Sequence, residues 1–440
     1  MSSMVDESAV NHEARGMYRL LSQLFPIHRS ITGKGLRKTL EILENEIPEL
    51  ERHFYPTGKK VYDWEIPREW CVDDAYILSP SGEKFCDLKE SNLNVVQYSV
   101  PVDTTLSLDE LKPRLHSIPS QPEAVPYLTS YYKETWGFCI SENQKKRLPA
   151  GNYRILIDSK FIDNGLDLAD VVIKGRSKKE ILLSTYVCHP SMANNELSGP
   201  VVAVYLYKWL KRNQRNLKYS YRFIFCPETI GAIAYIHASF KKLKENSLCG
   251  FILTCMGDNA AYSFLPSKSG NSLADRAAAC VLENDLTDYK IYSFNQRGSD
   301  ERQYCSPKVD IPMCSVMRSK YGEYKEYHTS NDNLDFVSEE GLWGSLKVMK
   351  KIINLLEANE TYITQSTCEP KLDVHGLYPT MTTKDNWRDS EAILNILAYC
   401  DGFTDVISIV NLCKLPTTIV LPAIESLRKK NLIISTNEPS

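Results

Sequence analysis

The chain has 440 residues, of which 43% are hydrophobic and 24% charged, and this length predicts two or three domains with at least one large core. No run approaches the ~18 consecutive apolar residues that a membrane-spanning helix needs, so we expect a globular protein without a membrane span. The 52 basic and 55 acidic residues leave a formal charge of -3, which gives no overall attraction to nucleic acid or anionic lipid.

The first residues and the cysteines both bear on the cellular compartment. Residues 1–15 are polar and contain no apolar segment, so we expect no secretory signal and a cytoplasmic protein. The thirteen cysteines are odd in number and several lie in apolar runs, as is typical of buried reduced thiols. No two cysteines have C-x-x-C spacing, so a structural zinc ribbon is not expected.

The chain opens with two amphipathic helical patterns, at about 12–24 and 35–47, which predict a helical hairpin. Tryptophans, prolines and short alternating runs follow and predict a small β-rich module, which we interpret as an insertion. The predicted domains are the first part of the main domain at 1–58, the insertion at 59–151, the second part of the main domain at 152–368, and a winged helix at 369–440.

Short β-rich runs alternate with helical patterns from 152 to about 360. This alternation predicts an α/β domain with a mixed, mostly parallel sheet and helices on both faces. The predicted strands are 154–158, 180–187, 219–225, 250–256, 290–294 and 311–317, and the predicted helices are 198–211, 230–243, 272–282 and 339–356.

The final residues predict a winged helix, with helices at 387–399, from the cap Thr404 to Leu412, and at 416–430, followed by a strand at 432–434. The third helix has its bases only at 428–430 and contains Pro422. A DNA-reading helix presents polar and basic residues near its start, so nucleic-acid binding is not expected. A protein-docking role, or a homo-oligomer formed through the winged helix or the insertion, is favoured instead.

Potential metal ligands and acid–base groups follow the predicted strands, where ligands of open α/β sheets bind. His189 follows the strand at 180–187, and Glu228 and Asp258 follow the next two strands. His328 precedes the last long helix. Two histidines and two carboxylates in these places are typical of a zinc site with a general base.

Several segments resemble the zinc exopeptidases of the aminopeptidase and glutaminyl cyclase type, and in particular the polysaccharide-biosynthesis-linked aminopeptidase-like proteins with a C-terminal winged helix. Tyr327-His-Thr-Ser-Asn-Asp-Asn-Leu-Asp335 is similar to the Y-H-T-x-x-D-x-L-D ligand motif and is the most specific segment. Asn194-Asn-Glu-Leu-Ser-Gly199 resembles the N-D-x-x-S-G segment that carries a zinc carboxylate. His28-Arg-Ser-Ile-Thr-Gly33 looks like the turn of the helical hairpin.

The resemblance implies roles for individual residues. His189 and His328 would be zinc ligands, and Glu228 would be the general base. Gly298-Ser-Asp-Glu-Arg-Gln303 resembles the G-S-D loop that lines the substrate pocket, so Asp300 and Glu301 would hold a substrate amine.

The chain also departs from the family pattern at three ligand positions. Asn195 stands where the family has a bridging aspartate, and Thr229 stands where a second glutamate follows the base. The third ligand aligns with either Cys255 or Asp258. We therefore expect one zinc ion, held by the two histidines with Asn195 or Asp258, and an open water position.

The aromatic segment 131–137 lies where the insertion returns to the main domain, and Tyr132 and Trp136 are predicted to contact the substrate. Ordinary interdomain packing is the alternative for this segment. The leading hypothesis is a zinc-dependent hydrolase of the aminopeptidase type that cleaves a peptide or other amide bond near a free amine. The alternatives are a non-catalytic ligand-binding module that signals through the winged helix, and an amide-forming or cyclising transferase.

Overall fold

The computed structural model describes residues 7–377 and 384–436, and their side chains at 12–377 and 391–436. Residues 1–6, on which the expectation of no signal peptide partly rests, lie outside the described residues. The chain divides into two compact units, Met1–Lys268 with Tyr292–Leu346, and Ser269–Ile291 with Lys347–Ser440.

The regular elements are listed here in chain order. The strands are β1 (Glu51–Pro56), β2 (Lys60–Val61), β3 (Trp64–Glu65), β4 (Glu69–Leu78), β5 (Lys84–Phe85), β6 (Val102–Ser107), β7 (Leu115–His116), β8 (Phe138–Cys139), β9 (Asn152–Ile162), β10 (Gly165–Ile173), β11 (Glu180–Tyr186), β12 (Ser220–Cys226), β13 (Ser247–Ile252), β14 (Tyr262–Leu265), β15 (Tyr289–Ile291), β16 (Met313–Met317), β17 (Thr361–Thr364), β18 (Asp401–Asp405) and β19 (Ile433–Ser435). The helices are α1 (Glu7–Leu24), α2 (Lys34–Glu46), α3 (Leu108–Leu111), α4 (Glu142–Lys146), α5 (Ser198–Arg212), α6 (Ile230–Asn246), α7 (Leu273–Asp285), α8 (Glu301–Tyr304), α9 (Glu339–Ala358), α10 (Lys384–Ala398), α11 (Val406–Cys413) and α12 (Thr417–Lys429).

The first unit contains a large mixed sheet in which its strands have the order β1-β10-β12-β11-β13-β16-β14. The four central strands, β12, β11, β13 and β16, pair in parallel, and their outer neighbours pair antiparallel. Every residue of β11 and β12 is buried, as expected for strands covered on both faces. The predicted mixed α/β fold is confirmed, with parallel pairing confined to the four central strands.

The connections between the central strands place the functional end of the sheet. The crossover β11–α5–β12 and the crossover β12–α6–β13 run in opposite directions across the sheet. Because such crossovers are right-handed, α5 and α6 lie on opposite faces. The reversal creates a crevice at the carboxyl ends of the central strands, which is the usual ligand position in open α/β sheets.

A smaller antiparallel sheet has the order β5-β4-β9-β6. The sequence placed the strand at 154–158 in the α/β sheet, and this was wrong, because β9 pairs with β4 and β6. Buried Tyr153, Ile155 and Ile157 alternate with more exposed residues along β9. This alternation is typical of an antiparallel strand with one solvated face.

The predicted helices at 198–211, 230–243, 272–282 and 339–356 are confirmed within three residues at each end, and α6 and α7 each end three residues later than predicted. The strand predicted at 250–256 ends earlier, at Ile252, because Cys255 has a positive φ of 53° and the chain turns there. The Cys255 amide donates to the carbonyl of Asn194 at 3.1 Å, which ties this turn to the loop after β11. Strands β1, β10 and β14 of this sheet were not predicted.

The second unit contains the predicted winged helix, with an antiparallel sheet of order β18-β17-β19 and helices α10 to α12. Asp405, rather than the predicted Thr404, caps α11, because its carboxylate accepts the Ser408 amide at 3.0 Å. Helix α7, which the sequence assigned to the α/β domain, belongs to this unit. Its Arg276 forms an ion pair with Asp405 at 2.6 Å.

Among the helices of the described parts of the chain, none has both the length and the apolar character required to cross a lipid bilayer.

Candidate active site

A cavity of about 710 Å³ opens at the carboxyl ends of the central strands. His189, Glu228 and His328 line it. Residues between 63 and 67 and between 127 and 132 line the same cavity. The candidate catalytic residues and the β-rich segment therefore share one cavity in the first unit.

His189 is buried and both of its ring nitrogens face carboxylates. Nδ1 lies 2.7 Å from Glu196 Oε2, and Nε2 lies 3.7 Å from Glu228 Oε2. Burial lowers the pKa of His189, but the Glu196 and Glu228 charges outweigh it and leave the pKa above its ordinary value. In the neutral ring, a proton on Nδ1 that is donated to Glu196 leaves the Nε2 lone pair directed at the cavity.

Glu196 lies in a single π-helical turn, Ala193–Leu197, immediately before α5. All five residues of this turn are buried, and π-helical turns are frequent at functional sites. No role for Glu196 was predicted from the sequence. The signal that could have identified Glu196 is that it is the one charged residue in the buried turn Ala193–Leu197.

His328 stacks on Tyr327 with ring centroids 3.9 Å apart, and its ring centroid lies 5.3 Å from that of His189. Its Nε2 is buried and has no hydrogen-bond partner. Burial and the neighbouring His189 lower the pKa of His328 to about 3. His328 is therefore a neutral imidazole with an unpaired nitrogen, as a metal ligand requires.

Asp332 holds the loop that carries Asn195. Its carboxylate accepts the backbone amides of Asn194 and Asn195 at 2.6 and 3.0 Å. The Asn195 Nδ2 donates to the Tyr186 hydroxyl at 2.9 Å, whereas the Asn195 Oδ1 is buried without a partner. This orientation of the amide leaves one neutral acceptor oxygen buried and without a partner, in a residue that does not itself line the cavity.

Asp258, predicted as a candidate metal ligand, is fully engaged in hydrogen bonds and does not line the cavity. Its Oδ1 accepts the Ala260 amide and the Ser319 hydroxyl, and its Oδ2 accepts the Asn194 side chain and the Ser319 amide. This is the turn-forming role that competes with ligation for an aspartate after a strand. Burial raises the pKa of the alternative residue, Cys255, to about 12.

Asp300 and Glu301, predicted to hold a substrate amine, are both buried and do not line the cavity. Asp300 Oδ1 accepts the Thr229 amide at 2.7 Å. Glu301 Oε1 accepts the amides of Gly298 and Ser299 at 2.9 and 3.0 Å. Burial and the Glu228 charge raise the pKa of Asp300 well above its ordinary value. Both carboxylates therefore lie behind the cavity wall.

The two predicted aromatic residues lie in different surroundings. Tyr132 is 81% exposed, lines the cavity and meets Trp64 edge to face at 6.0 Å. Trp136 does not line the cavity. The Trp136 ring instead packs under the Arg114 guanidinium at 4.9 Å.

The structure also shows a buried cation, Arg29, for which the sequence predicted only a place in the turn of the helical hairpin. Arg29 is fully buried, and its Nε donates to the His189 carbonyl at 3.0 Å. Burial lowers the pKa of Arg29 to about 10, although the Glu196 charge opposes this. One indication of this role was present in the sequence, a single arginine among the short side chains of the turn at 29–33.

The donor chemistry of these residues suits a metal ion. His328 Nε2 and Asn195 Oδ1 are buried atoms without a hydrogen-bond partner, and His189, whose ring centroid lies 5.3 Å from that of His328, lines the same cavity as His328. Cys188, His189 and Glu196 also bring three donor atoms within 4.8 Å of one another. Burial raises the pKa of Cys188 well above its ordinary value, so its thiol stays protonated and this second group is a hydrogen-bonded network.

The sheet order and the residues at its carboxyl edge define an aminopeptidase-like fold. The zinc aminopeptidase BSAP of Bacillus subtilis shares it, with a TM-score of 0.58, 13% identity, and coverage of 77% of this chain and 94% of that one. The chain belongs to the family described as domain of unknown function DUF4910, which matches residues 18–359. A winged helix-turn-helix family matches residues 360–435.

Two similarities from Clostridium acetobutylicum extend over most of the chain. One is a protein provisionally named as a polysaccharide biosynthesis protein with aminopeptidase-like domain, which is 42% identical over 395 residues, or 89% of this chain and 90% of the relative. The other is a crystal structure of a protein provisionally named a peptidase, with 39% identity and a TM-score of 0.90 over 98% of this chain and 99% of that one.

Proposed function

We propose that this protein is a metal-dependent amide hydrolase of the aminopeptidase type that binds one zinc ion per chain. The observation that carries the proposal is the pair of contacts made by His189. Glu196 accepts the proton of one ring nitrogen, while the other nitrogen faces Glu228 inside the cavity. The aminopeptidase-like fold supports the same reading.

His189, His328 and Asn195 would hold the metal ion. The chemistry that zinc supplies in such a site is polarisation of a carbonyl and a lowered pKa of bound water. Burial raises the pKa of Glu228, with a smaller opposing effect from His189, which makes the carboxylate a stronger base than an ordinary glutamate. Glu228 would take a proton from the attacking water and deliver it to the leaving amine.

The substrate class follows from the walls of the cavity. Asp63, Glu65 and Glu228 line it, and these carboxylates favour a substrate with a free amine. Trp64 and Tyr132 offer aromatic surface at the same cavity for a ring or an apolar group. We propose a small peptide or another amide, and the name of the Clostridium relative favours an amide on a polysaccharide precursor.

One feature supports the second candidate, a non-catalytic ligand-binding module. Asn195 and Thr229 are neutral at positions where the resembling zinc enzymes carry carboxylates. An amide oxygen is a weaker zinc ligand than a carboxylate, because it brings no negative charge. An amide-forming or cyclising transferase would use the same cavity and differ in its products.

We also propose a cytoplasmic location and a docking role for the winged helix. All thirteen cysteines are free thiols, which suits a reducing compartment. The exposed face of α12 presents Ile419, Pro422 and Glu425, with basic residues only at its end. This surface favours a protein partner or a second copy of the chain over nucleic acid.

Metal analysis of the purified protein tests the proposal. We expect about one zinc per chain, lost in His328→Ala and retained in the matched control His237→Ala, whose histidine is exposed on α6. Hydrolysis of aminoacyl amides, short peptides and N-acyl amino sugars is then followed by product analysis. Two tightly bound zinc ions, or activity that survives loss of all metal, would contradict this assignment.

A further inference from the structure

Thr229 adopts a backbone conformation that is rare for its residue type. Its φ is 63° and its ψ is −76°, and the Ile230 amide donates to the Glu228 carbonyl at 2.8 Å. These values describe a γ-turn of the uncommon kind, and a β-branched residue at positive φ is a true outlier. The turn lies between β12 and α6, directly after the candidate base.

Groups from outside the turn hold it on both sides of the Glu228–Thr229 peptide. The Glu228 amide donates to Cys188 Sγ at 3.3 Å, and the Thr229 amide donates to Asp300 Oδ1 at 2.7 Å. Arg302 Nη2 donates to the Thr229 hydroxyl at 3.0 Å. Such external bonds are what allow an unfavourable backbone conformation to persist.

Asp300 and Arg302 are themselves fixed by the loop that carries them. Asp300 precedes α8 but its side chain makes no capping bond to that helix, which leaves the carboxylate to reach Thr229. Arg302 Nε donates to the Ser299 carbonyl at 3.1 Å. Glu301 braces the same loop through the amides of Gly298 and Ser299.

We infer that Asp300 and Arg302 are positioning residues for Glu228. They clamp Thr229 in its turn and thereby keep the Glu228 carboxylate at 3.7 Å from His189 Nε2. Neither residue lines the cavity, so they act on Glu228, through Thr229 and through their own charges, and not through contact with substrate. This inference rests on the proposed role of Glu228 as the base.

Two matched pairs of variants test the clamp by steady-state kinetics on the best substrate of the hydrolysis panel. We expect Asp300→Ala to lower kcat by ~10²-fold with little change in KM, because a displacement of ~1 Å at a catalytic group has this effect. Asp300→Asn should recover most of the loss, since its amide oxygen still accepts the Thr229 amide. Thr229→Val should lower kcat, and Thr229→Ser should recover it.

Other outcomes separate the competing explanations. A rise in KM that is equal in Asp300→Ala and Asp300→Asn would assign Asp300 to substrate binding and overturn the clamp. If Asp300→Ala does not fold, the variants Thr229→Val and Thr229→Ser still test the clamp. Equal kcat values for these two variants would overturn the proposal. If the wild type hydrolyses nothing, the proposed function fails separately. Crystal structures then decide, since a Thr229 φ that stays near +60° in Asp300→Ala would overturn the clamp.

Discussion

The Nδ1 atom of His189 and a carboxylate oxygen of Glu196 lie 2.7 Å apart in a region closed to solvent. The contact determines which imidazole nitrogen is free, and so it couples the π-helical turn before α5 to the chemistry of the cavity. It also places a negative charge beside the imidazole, which raises the basicity of a metal-binding histidine. The negative charge of Glu196, next to the His189 ring, therefore partly compensates for the neutral side chain of Asn195.

Replacement of Glu196 by glutamine tests this coupling. The change keeps the size of the side chain but removes the charge, so we expect zinc affinity to fall by about 10–100-fold, the range typical of such supporting carboxylates. Affinity is measured by competition with a chelating dye, with the exposed Glu90→Gln as the matched control. An unchanged affinity in Glu196→Gln would show that the contact has no part in metal binding.

The parts of the fold that the sequence predicted best are those with one dominant local signal. The strands at 180–187 and 219–225 are continuous buried runs, and the helices after them have regular apolar spacing. The strand β9 was predicted in the wrong sheet, because the residues of a strand do not determine which other strands it pairs with. The membership of α7 in the second unit likewise depends on tertiary contacts, such as that between Arg276 and Asp405.

In the candidate site, too, residues with a local sequence signal were predicted and residues that depend on tertiary contacts were not. Residues 189, 228 and 328 were found because each lies in a motif at the end of a predicted element, and the structure brings them to one cavity. Glu196 could not be assigned, because a π-helical turn has no clear sequence signature. The motif of Asp300 predicted a place in the pocket. In the structure the Asp300 side chain instead bonds the Thr229 amide in its unusual turn.

A test of stability against pH is available in the winged helix. Burial raises the pKa of Asp405, but hydrogen bonds from Arg276, Ser408 and Asn359 outweigh it and lower the pKa to about 2. A carboxylate whose folded pKa is below its unfolded value of ~3.9 stabilises the protein at higher pH. This contribution, about 1–2 kcal/mol once solvent screening of the partly exposed carboxylate is allowed for, should disappear as the pH falls from ~4 to ~2.

The comparison is between wild type and Asp405→Asn, by chemical unfolding of the full chain across this pH range. Asparagine is a comparable helix cap, so the variant should lose the pH-dependent part while it keeps α11 capped. The difference in unfolding free energy should be largest at neutral pH and small near pH 2. A difference that does not vary with pH would contradict the assignment.

The surface of α12 predicts weak DNA binding. Its basic residues are confined to the last turn, and Glu425 lies between them and the exposed Ile419. We expect low affinity that is insensitive to DNA sequence and falls steeply with added salt. Fluorescence anisotropy with several duplexes at physiological salt measures this. Nanomolar, sequence-dependent binding would favour a regulatory function over a docking role.

The sharpest prediction concerns Asn195, whose Oδ1 is buried without a hydrogen-bond partner. Asn195→Asp adds a negative charge at this position, and the Tyr186 hydroxyl, which accepts the Asn195 amide and bonds Thr254 at 2.6 Å, must turn from Thr254 to donate to the new carboxylate. We expect higher zinc affinity and faster hydrolysis. Glu228→Gln on this background should lower turnover by ~10²-fold or more while zinc stays bound, because a positioned base contributes ~10²–10⁴ in rate. No gain in zinc or activity would favour the non-catalytic module, and a gain that Glu228→Gln leaves intact would show that another group is the base.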